Sequence, residues 1–183
     1  MSIPESVTFE EAIALTQSLL SQMEAGELSQ AEFSEAIAQL VKTANGARGF
    51  FVTYLTSEGK LADNPSADVI QALESSPDIV AELLVKNLAM SAAQALAHRR
   101  KNNEQMAQGS DRVRSRTLRL IEHIELPQVR ELALALRESA VTGAGTYKTF
   151  LQTWRYDAEQ RQIICQVLDR VLPPVEPNSS TDQ

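Results

Sequence analysis

Hydrophobic residues recur every three to four positions along most of the chain, and residues typical of helix ends separate these repeats. Two repeats begin with the Ser/Thr-x-x-Glu pattern of a capping box, at Thr8 and at Ser29, and each is followed by a glycine, Gly26 or Gly46. The connection between the two repeats is short. The pattern therefore predicts a helical hairpin over residues 8–46.

The longest apolar repeat begins at Ser76-Pro77 and is predicted to continue as one helix to about Ala107. Its polar residues fall on one narrow stripe, which is typical of a central helix that is buried on most sides. We expect the chain to reverse at Gly109, so that a second helix reaching Ile124 lies against the first.

Helical repeats separated by glycine and proline continue from Pro127 to residue 172. The fold class predicted from these patterns is all-α, an irregular bundle of about eight or nine helices with one long central helix. We expect a single domain over 1–172, followed by a polar, proline-bearing disordered tail. Its parts are the hairpin over 8–46, a long helix with an Arg-rich hairpin over 77–124, C-terminal helices over 127–172 and the tail over 173–183.

Residues 50–56 are the one segment with high strand propensity, because aromatic and β-branched side chains dominate it. No second strand-like segment exists to pair with it, and an isolated strand would leave backbone donors and acceptors unsatisfied. The sequence therefore favours a helix here. Pairing between subunits is the only arrangement that would allow a strand.

Composition restricts the protein to a few classes. The net charge of its 183 residues is −7, and the single cysteine excludes a disulfide framework and a cysteine-rich zinc site within one chain. The first residues do not form a basic and apolar leader, and the apolar segment 79–97 is interrupted by polar residues. We expect a cytoplasmic protein without a membrane span.

One short basic segment, residues 98–119, interrupts this acidic chain. It contains seven bases and two acids, and six of the seven bases are arginine, whose planar fork of donors suits carboxylate or phosphate. Three interpretations remain open: pairing within the protein or between subunits, docking of an acidic protein, and binding of a phosphate-bearing ligand. Nucleic acid is disfavoured, because a basic domain is expected for such binding. The candidate partner-binding residues are Arg99, Arg100, Lys101, Arg112, Arg114, Arg116 and Arg119.

Four aromatic residues near the C-terminus form a second candidate site. Tyr147, Phe150 and Trp154 share one face of a predicted short helix, and Tyr156 follows closely. Such a set can line a ligand pocket, although packing into the core is favoured by the helical spacing.

Candidate catalytic side chains are few. His98 and His123 do not have the spacing of metal ligands, and Cys165 lies beside isoleucines on the predicted core face of a helix. The sequence contains neither a glycine-rich phosphate loop nor a nucleophile elbow. We therefore predict no catalytic residue, no metal site and no cofactor.

Three stretches, 46–55 (GARGFFVTYL), 82–91 (ELLVKNLAMS) and 106–116 (MAQGSDRVRSR), resemble an uncharacterised all-helical family of cyanobacterial proteins. The resemblance extends over most of the chain up to residue 172. It implies a bacterial cytoplasmic setting and transfers no site residue.

These observations predict a non-enzymatic protein-interaction or regulatory protein that forms a homo-oligomer. Its Arg-rich helical hairpin would bind an acidic partner or its own subunit. The alternative is a protein that binds a small molecule or nucleotide phosphate, including an enzyme, with a pocket between the aromatic helix and the basic hairpin.

Overall fold

The computed structural model describes residues 6–172, and this part of the chain contains nine α-helices and no strand. The all-α prediction with one long central helix is confirmed. The predicted disordered tail over 173–183 lies outside the described residues. The helices are α1 Phe9–Ala25, α2 Gln30–Leu40, α3 Ala44–Thr56, α4 Ala67–Glu74, α5 Pro77–Arg100, α6 Glu104–His123, α7 Pro127–Thr142, α8 Lys148–Thr153 and α9 Ala158–Asp169.

Capping boxes begin three of these helices, α1, α2 and α9. In α1, Thr8 Oγ1 accepts a hydrogen bond from Glu11 N at 3.2 Å, and Glu11 Oε2 accepts one from Thr8 N at 2.8 Å. Two backbone donors that the first turn would leave unpaired are thereby satisfied. Such starts depend on residues three positions apart, so the sequence pattern locates them well.

The strand-like segment 50–56 lies in α3, as predicted. Phe50 and Tyr54 are fully buried, and their rings stack with centroids 5.1 Å apart. One turn of helix brings the two rings onto the same face, so the segment's aromatic content serves core packing.

The predicted hairpin over 8–46 needs correction. The second helix ends at Leu40, and Gly46 lies within α3 instead of closing α2. A side chain at Gly46 would place its Cβ 2.1 Å from the Leu40 carbonyl oxygen, and one at Gly49 would lie 2.4 Å from Ala12 Cβ. Both glycines therefore serve close packing, and α1 packs more extensively against α3 than against α2.

The central helix α5 packs against α3, α4, α6, α7 and α9. Small buried residues such as Ala89, Ala92 and Ala93 let its neighbours approach closely. By length and composition α5 is apolar enough to cross a membrane, but 56% of that apolar window is buried by other helices. A helix in the core of a fold meets the same criteria of length and composition.

The chain reverses after α5 at Asn102-Asn103, seven residues before the predicted turn at Gly109. Asn102 adopts a left-handed conformation with φ 55°, which asparagine tolerates better than most residues. Asn103 Oδ1 then accepts a hydrogen bond from Met106 N at 3.2 Å and caps α6. The prediction of one helix to Ala107 is wrong because these two asparagines supply a complete helix end.

Candidate functional site

Most arginines of the basic segment bind acidic side chains of the same chain. Arg99 Nη2 lies 3.1 Å from Glu104 Oε1 and 2.5 Å from Asp111 Oδ2. Elsewhere in the segment, Arg100 pairs with Asp157 and Glu159 at the start of α9, and Arg114 pairs with Asp111. Lys101 is exposed in the turn between α5 and α6.

Arg116 is buried, with 2% of its surface exposed. Its Nε donates to Asp63 Oδ1 at 2.8 Å, and this hydrogen bond holds the pKa of the Asp63 carboxyl below its ordinary value. Its two Nη groups donate at 3.0, 2.7 and 2.9 Å to the backbone carbonyls of Leu55, Ser57 and Gly59. Arg116 is therefore an internal structural residue and does not belong to an exposed binding surface.

Arg119 contacts the same connection between α3 and α4. Its Nη1 donates to the Asp63 carbonyl at 2.6 Å and to Asn64 Oδ1 at 3.1 Å. The arginines at 116 and 119 thus hold the α3–α4 connection against α6. A turn at Gly109, as expected from the sequence, would have brought positions 99–101 opposite positions 117–119. With the turn at 102–103, Arg99 instead contacts Glu104 and Asp111, and Arg116 is buried, so the seven bases do not share one exposed surface.

An open groove of about 810 Å³ runs along α5 and is bounded by α3, α6 and α8. We call it the α5 groove. Its floor is one face of α5, on which the polar side chains of Lys86, Asn87, Gln94 and His98 alternate with Leu83 and Met90.

The rim of the α5 groove carries large exposed hydrophobic side chains. Val52 of α3 is 42% exposed, Met106 of α6 is 52% exposed, and Trp154 after α8 is 48% exposed. These residues come from three separate parts of the chain, so their convergence is invisible in the sequence.

The charge of the α5 groove is opposite to that of the whole protein. Three bases line it, Arg48, Lys86 and Arg112, against one acid, Glu58, and Arg112 Nη1 lies 3.1 Å from Glu58 Oε2. The groove thus has an excess of positive charge in a chain of net charge −7. Arg112 is the one arginine of the basic segment among its lining residues.

The four aromatic candidates divide between the groove and the core. Phe150 and Trp154 line the α5 groove. Tyr147 and Tyr156 are buried, and burial raises the pKa of Tyr156 to about 12. Tyr147 also lines a second, smaller pocket of about 380 Å³ together with Phe150, Trp154 and Lys86. Tyr156 lines neither pocket.

Lys86 is positioned by the aromatic helix. Its Nζ lies 5.8 Å from the ring centroid of Tyr147, 5.6 Å from that of Phe150 and 2.6 Å from Glu82 Oε1. The Tyr147 hydroxyl donates to Glu82 Oε2 at 2.6 Å; burial, followed by this hydrogen bond, raises the pKa of Tyr147. The ammonium group is thereby held over two ring faces at one end of the groove.

The candidates for catalysis are separated from one another. His98 lines the α5 groove, whereas His123 Nδ1 lies 2.7 Å from the Arg119 carbonyl oxygen and Cys165 is half-buried with its thiol pKa raised by burial. Among residues 6–172, no three His, Cys, Asp or Glu side chains are grouped so that they could hold a metal ion.

Comparison with protein-family profiles shows to which family the chain belongs. The profile described as uncharacterised conserved protein UCP020893 matches residues 8–171. The chain belongs to this family. The UCP020893 match includes all nine helices and every residue of the α5 groove named above. No curated protein and no solved structure matches the chain at a significant level.

Sequence reasoning missed Arg48, Val52, Met106 and Gly109 as groove residues. The signal that could have pointed to them is the polar stripe of the central helix. A polar stripe on an otherwise buried helix indicates that neighbouring helices leave one face open.

Proposed function

We propose that this protein is a non-enzymatic interaction protein whose α5 groove binds an amphipathic helix of an acidic protein partner. The main support is that three of the five large exposed hydrophobic side chains in the described residues lie at this one groove. Large apolar side chains that are exposed together at one groove are typical of a protein interaction site.

The dimensions of the α5 groove suit a helix. Its floor extends from Leu83 to His98 on α5, fifteen residues apart, which corresponds to about 22 Å at the helical rise per residue. A helix of about four turns has the same length. Helix-in-groove recognition places the apolar face of an amphipathic helix in a groove of this kind.

The positive charge of the groove indicates an acidic partner. Arg48 stacks on the Phe9 ring, with its guanidinium carbon 5.1 Å from the ring centroid, and has no carboxylate partner among the described ion pairs. The Arg112–Glu58 pair is exposed, with 89% of the Glu58 side chain accessible, and exposed pairs contribute about 1 kcal/mol or less. A partner carboxylate can therefore displace Glu58 at little cost.

Gly109 supports the same interpretation. A glycine inside a helix costs about 1 kcal/mol relative to alanine. Here a Cβ would meet nothing within 4 Å, so packing within the chain does not require the glycine. Gly109 lines the α5 groove, where the missing side chain leaves room for a bound helix.

A small anionic molecule is the second candidate for the groove. Its volume of about 810 Å³ is within the usual range for ligand sites. The length of the floor and the pairing of most arginines within the chain favour the helix. For either candidate we propose the cytoplasm of a bacterium, a cyanobacterium by the resemblance of its sequence, as the setting.

Trp154 is the single tryptophan of the chain and lies half-exposed at the groove, so its fluorescence reports on occupancy. We would titrate the protein with synthetic amphipathic helices of about 15 residues that share one apolar face and carry acidic, neutral or basic polar faces. The acidic peptide should bind most tightly and shift the emission of Trp154. Its affinity should fall as salt rises, because screening weakens exposed charge pairs.

Two substitutions that each place a glutamate at an equally exposed hydrophobic position test whether binding occurs at the groove or elsewhere on the surface. Met106→Glu should weaken binding of the acidic peptide at least tenfold, because it adds negative charge and removes apolar contact. Leu134→Glu, at an equally exposed position on α7, should leave peptide binding intact. Equal effects of the two substitutions, or no binding of any peptide, would overturn the proposal. A Trp154 response to small anions alone would favour the second candidate.

A further inference from the structure

The remaining two large exposed hydrophobic side chains lie on the outer face of α7. Leu134 is 52% exposed and Val141 is 65% exposed. They are seven positions apart, which is about two turns of helix, so they lie on one line along the helix. The other face of α7 is buried and packs against α5 and α9. The line of Leu134 and Val141 therefore faces away from the core of its own chain.

The same seven-residue repeat orders the charged residues of α7. Arg130 and Arg137 are seven positions apart, and so are Glu131 and Glu138. At about 100° per residue, both arginines lie about 40–60° to one side of Leu134, and both glutamates lie about 40–60° to its other side. An apolar line thus runs between a row of arginine and a row of glutamate. We call this surface the α7 face, and its two positive and two negative charges cancel.

The charges of the α7 face are only partly neutralised within the chain. Ion pairs on a helix join residues three or four positions apart, whereas the arginines of this face lie one, six or eight positions from its glutamates. Arg130, Glu131 and Glu138 have no partner among the ion pairs of the described residues. Arg137 Nε lies 2.5 Å from Asp169 Oδ1 of α9, and its Nη1 makes no hydrogen bond within the described part of the chain.

We propose that the α7 face binds the α7 face of a second copy of this chain, with the two helices parallel. They would be related by a two-fold axis that runs between them along their length. Rotation about this axis exchanges the two flanks, so the arginine row of each copy meets the glutamate row of the other. Leu134 and Val141 each meet the same residue of the second copy. Both copies use the same patch, so the contact closes as a dimer.

Charge selects the parallel direction. In an antiparallel pair the two-fold axis would lie across the helices, and each row would face the row of its own sign. Such like-charge contacts are repulsive. In the parallel pair, Arg130 lies level with Glu131 of the second copy, and Arg137 lies level with Glu138 of the second copy. Exposed ion pairs contribute about 1 kcal/mol or less each, so they set the direction while burial of Leu134 and Val141 adds affinity.

The α7 contact goes beyond the proposed function of the α5 groove. No residue of α7 lines that groove, so a dimer formed through the α7 face leaves the groove of each copy open. One dimer would then present two α5 grooves. Self-association and binding of the acidic peptide can therefore be measured independently of each other.

An exchange of charge between the two rows tests the pairing. Sedimentation velocity of the wild type should show a dimer as the concentration rises. Arg130→Glu and Glu131→Arg change the net charge in opposite directions, and each alone should weaken the dimer at least about tenfold. The double variant should associate like the wild type, because glutamate at position 130 again faces arginine at position 131.

Cysteine cross-linking tests the direction of the helices. In a Cys165→Ser background, Leu134→Cys and Val141→Cys each place a thiol opposite its own counterpart. Diamide should then oxidise each pair of thiols to a disulfide between the two copies. An antiparallel pair centred on one of these positions would cross-link that position alone. Glu27→Cys, exposed between α1 and α2, is the control and should not cross-link.

Three results would overturn the dimer: a wild type that stays monomeric, a double variant that does not regain association, or a cross-link at only one of the two α7 positions. Glu27→Arg changes the net charge as Glu131→Arg does and should associate like the wild type. Circular dichroism verifies that every variant is folded. The Trp154 response to the acidic peptide should be the same in every α7 variant, so failure of the dimer is distinguishable from failure of the proposed function.

Discussion

Arg116 Nε lies 2.8 Å from Asp63 Oδ1, although the two residues are 53 positions apart in the chain. The same guanidinium donates to three backbone carbonyls of the α3–α4 connection. Only 3% of the Arg116 side chain is exposed. One arginine thus attaches a polar loop to α6 by satisfying acceptors that would otherwise be left without a donor.

Arg116→Ala should lower the free energy of unfolding by about 3–5 kcal/mol, because it leaves Asp63 and three carbonyls without their donor. Urea unfolding followed by circular dichroism measures this loss. Arg112→Ala is the control, since Arg112 pairs with Glu58, whose side chain is 89% accessible, and its loss should cost less than about 1 kcal/mol. Equal losses for the two variants would show that the buried contacts of Arg116 do not stabilise the fold.

Low pH should weaken the contact between Arg116 and Asp63. The Arg116 hydrogen bond holds the folded-state pKa of Asp63 below its ordinary value of 3.8, so its contribution is present above pH 3.8 and is lost as the pH falls through the folded-state pKa. The effect is moderated by solvent, because 43% of the Asp63 side chain is exposed. We expect Asp63→Asn to lower stability at neutral pH and to reduce the further loss below about pH 4. Urea unfolding at several pH values measures both, and parallel pH profiles of the variant and the wild type would contradict the expectation.

Gly109→Ala should raise stability by about 1 kcal/mol, because alanine favours the helix and the added Cβ meets no atom within 4 Å. The same methyl group enters the α5 groove, so affinity for the acidic peptide should fall. Gly49→Ala is the matched control within α3. Its Cβ would lie 2.4 Å from Ala12 Cβ, and we expect a loss of stability there. Thermal unfolding measures the change in stability, and titration followed by Trp154 fluorescence measures the change in peptide affinity. An unchanged peptide affinity of Gly109→Ala would show that position 109 lies outside the binding surface.

The turn between α5 and α6 shows why helix ends are only partly predictable. Glycine commonly follows the last turn of a helix, which favoured Gly109 as the end of the long helix. Asn102 adopts the left-handed conformation instead, and Asn103 begins α6. Glycine and asparagine both tolerate this conformation, so residue type alone did not decide between position 109 and position 102.

By itself, the sequence determined the all-α fold, the capping boxes at Thr8 and Ser29, and the central position of α5, because these depend on residues within a few positions of one another. The basic segment was also visible as a cluster of charge. Only the tertiary structure decided that Arg116 faces Asp63 and that Met106 and Trp154 share the edge of one groove. Their partners are tens of residues away, and a side chain's exposure depends on which helix surfaces the completed bundle leaves uncovered.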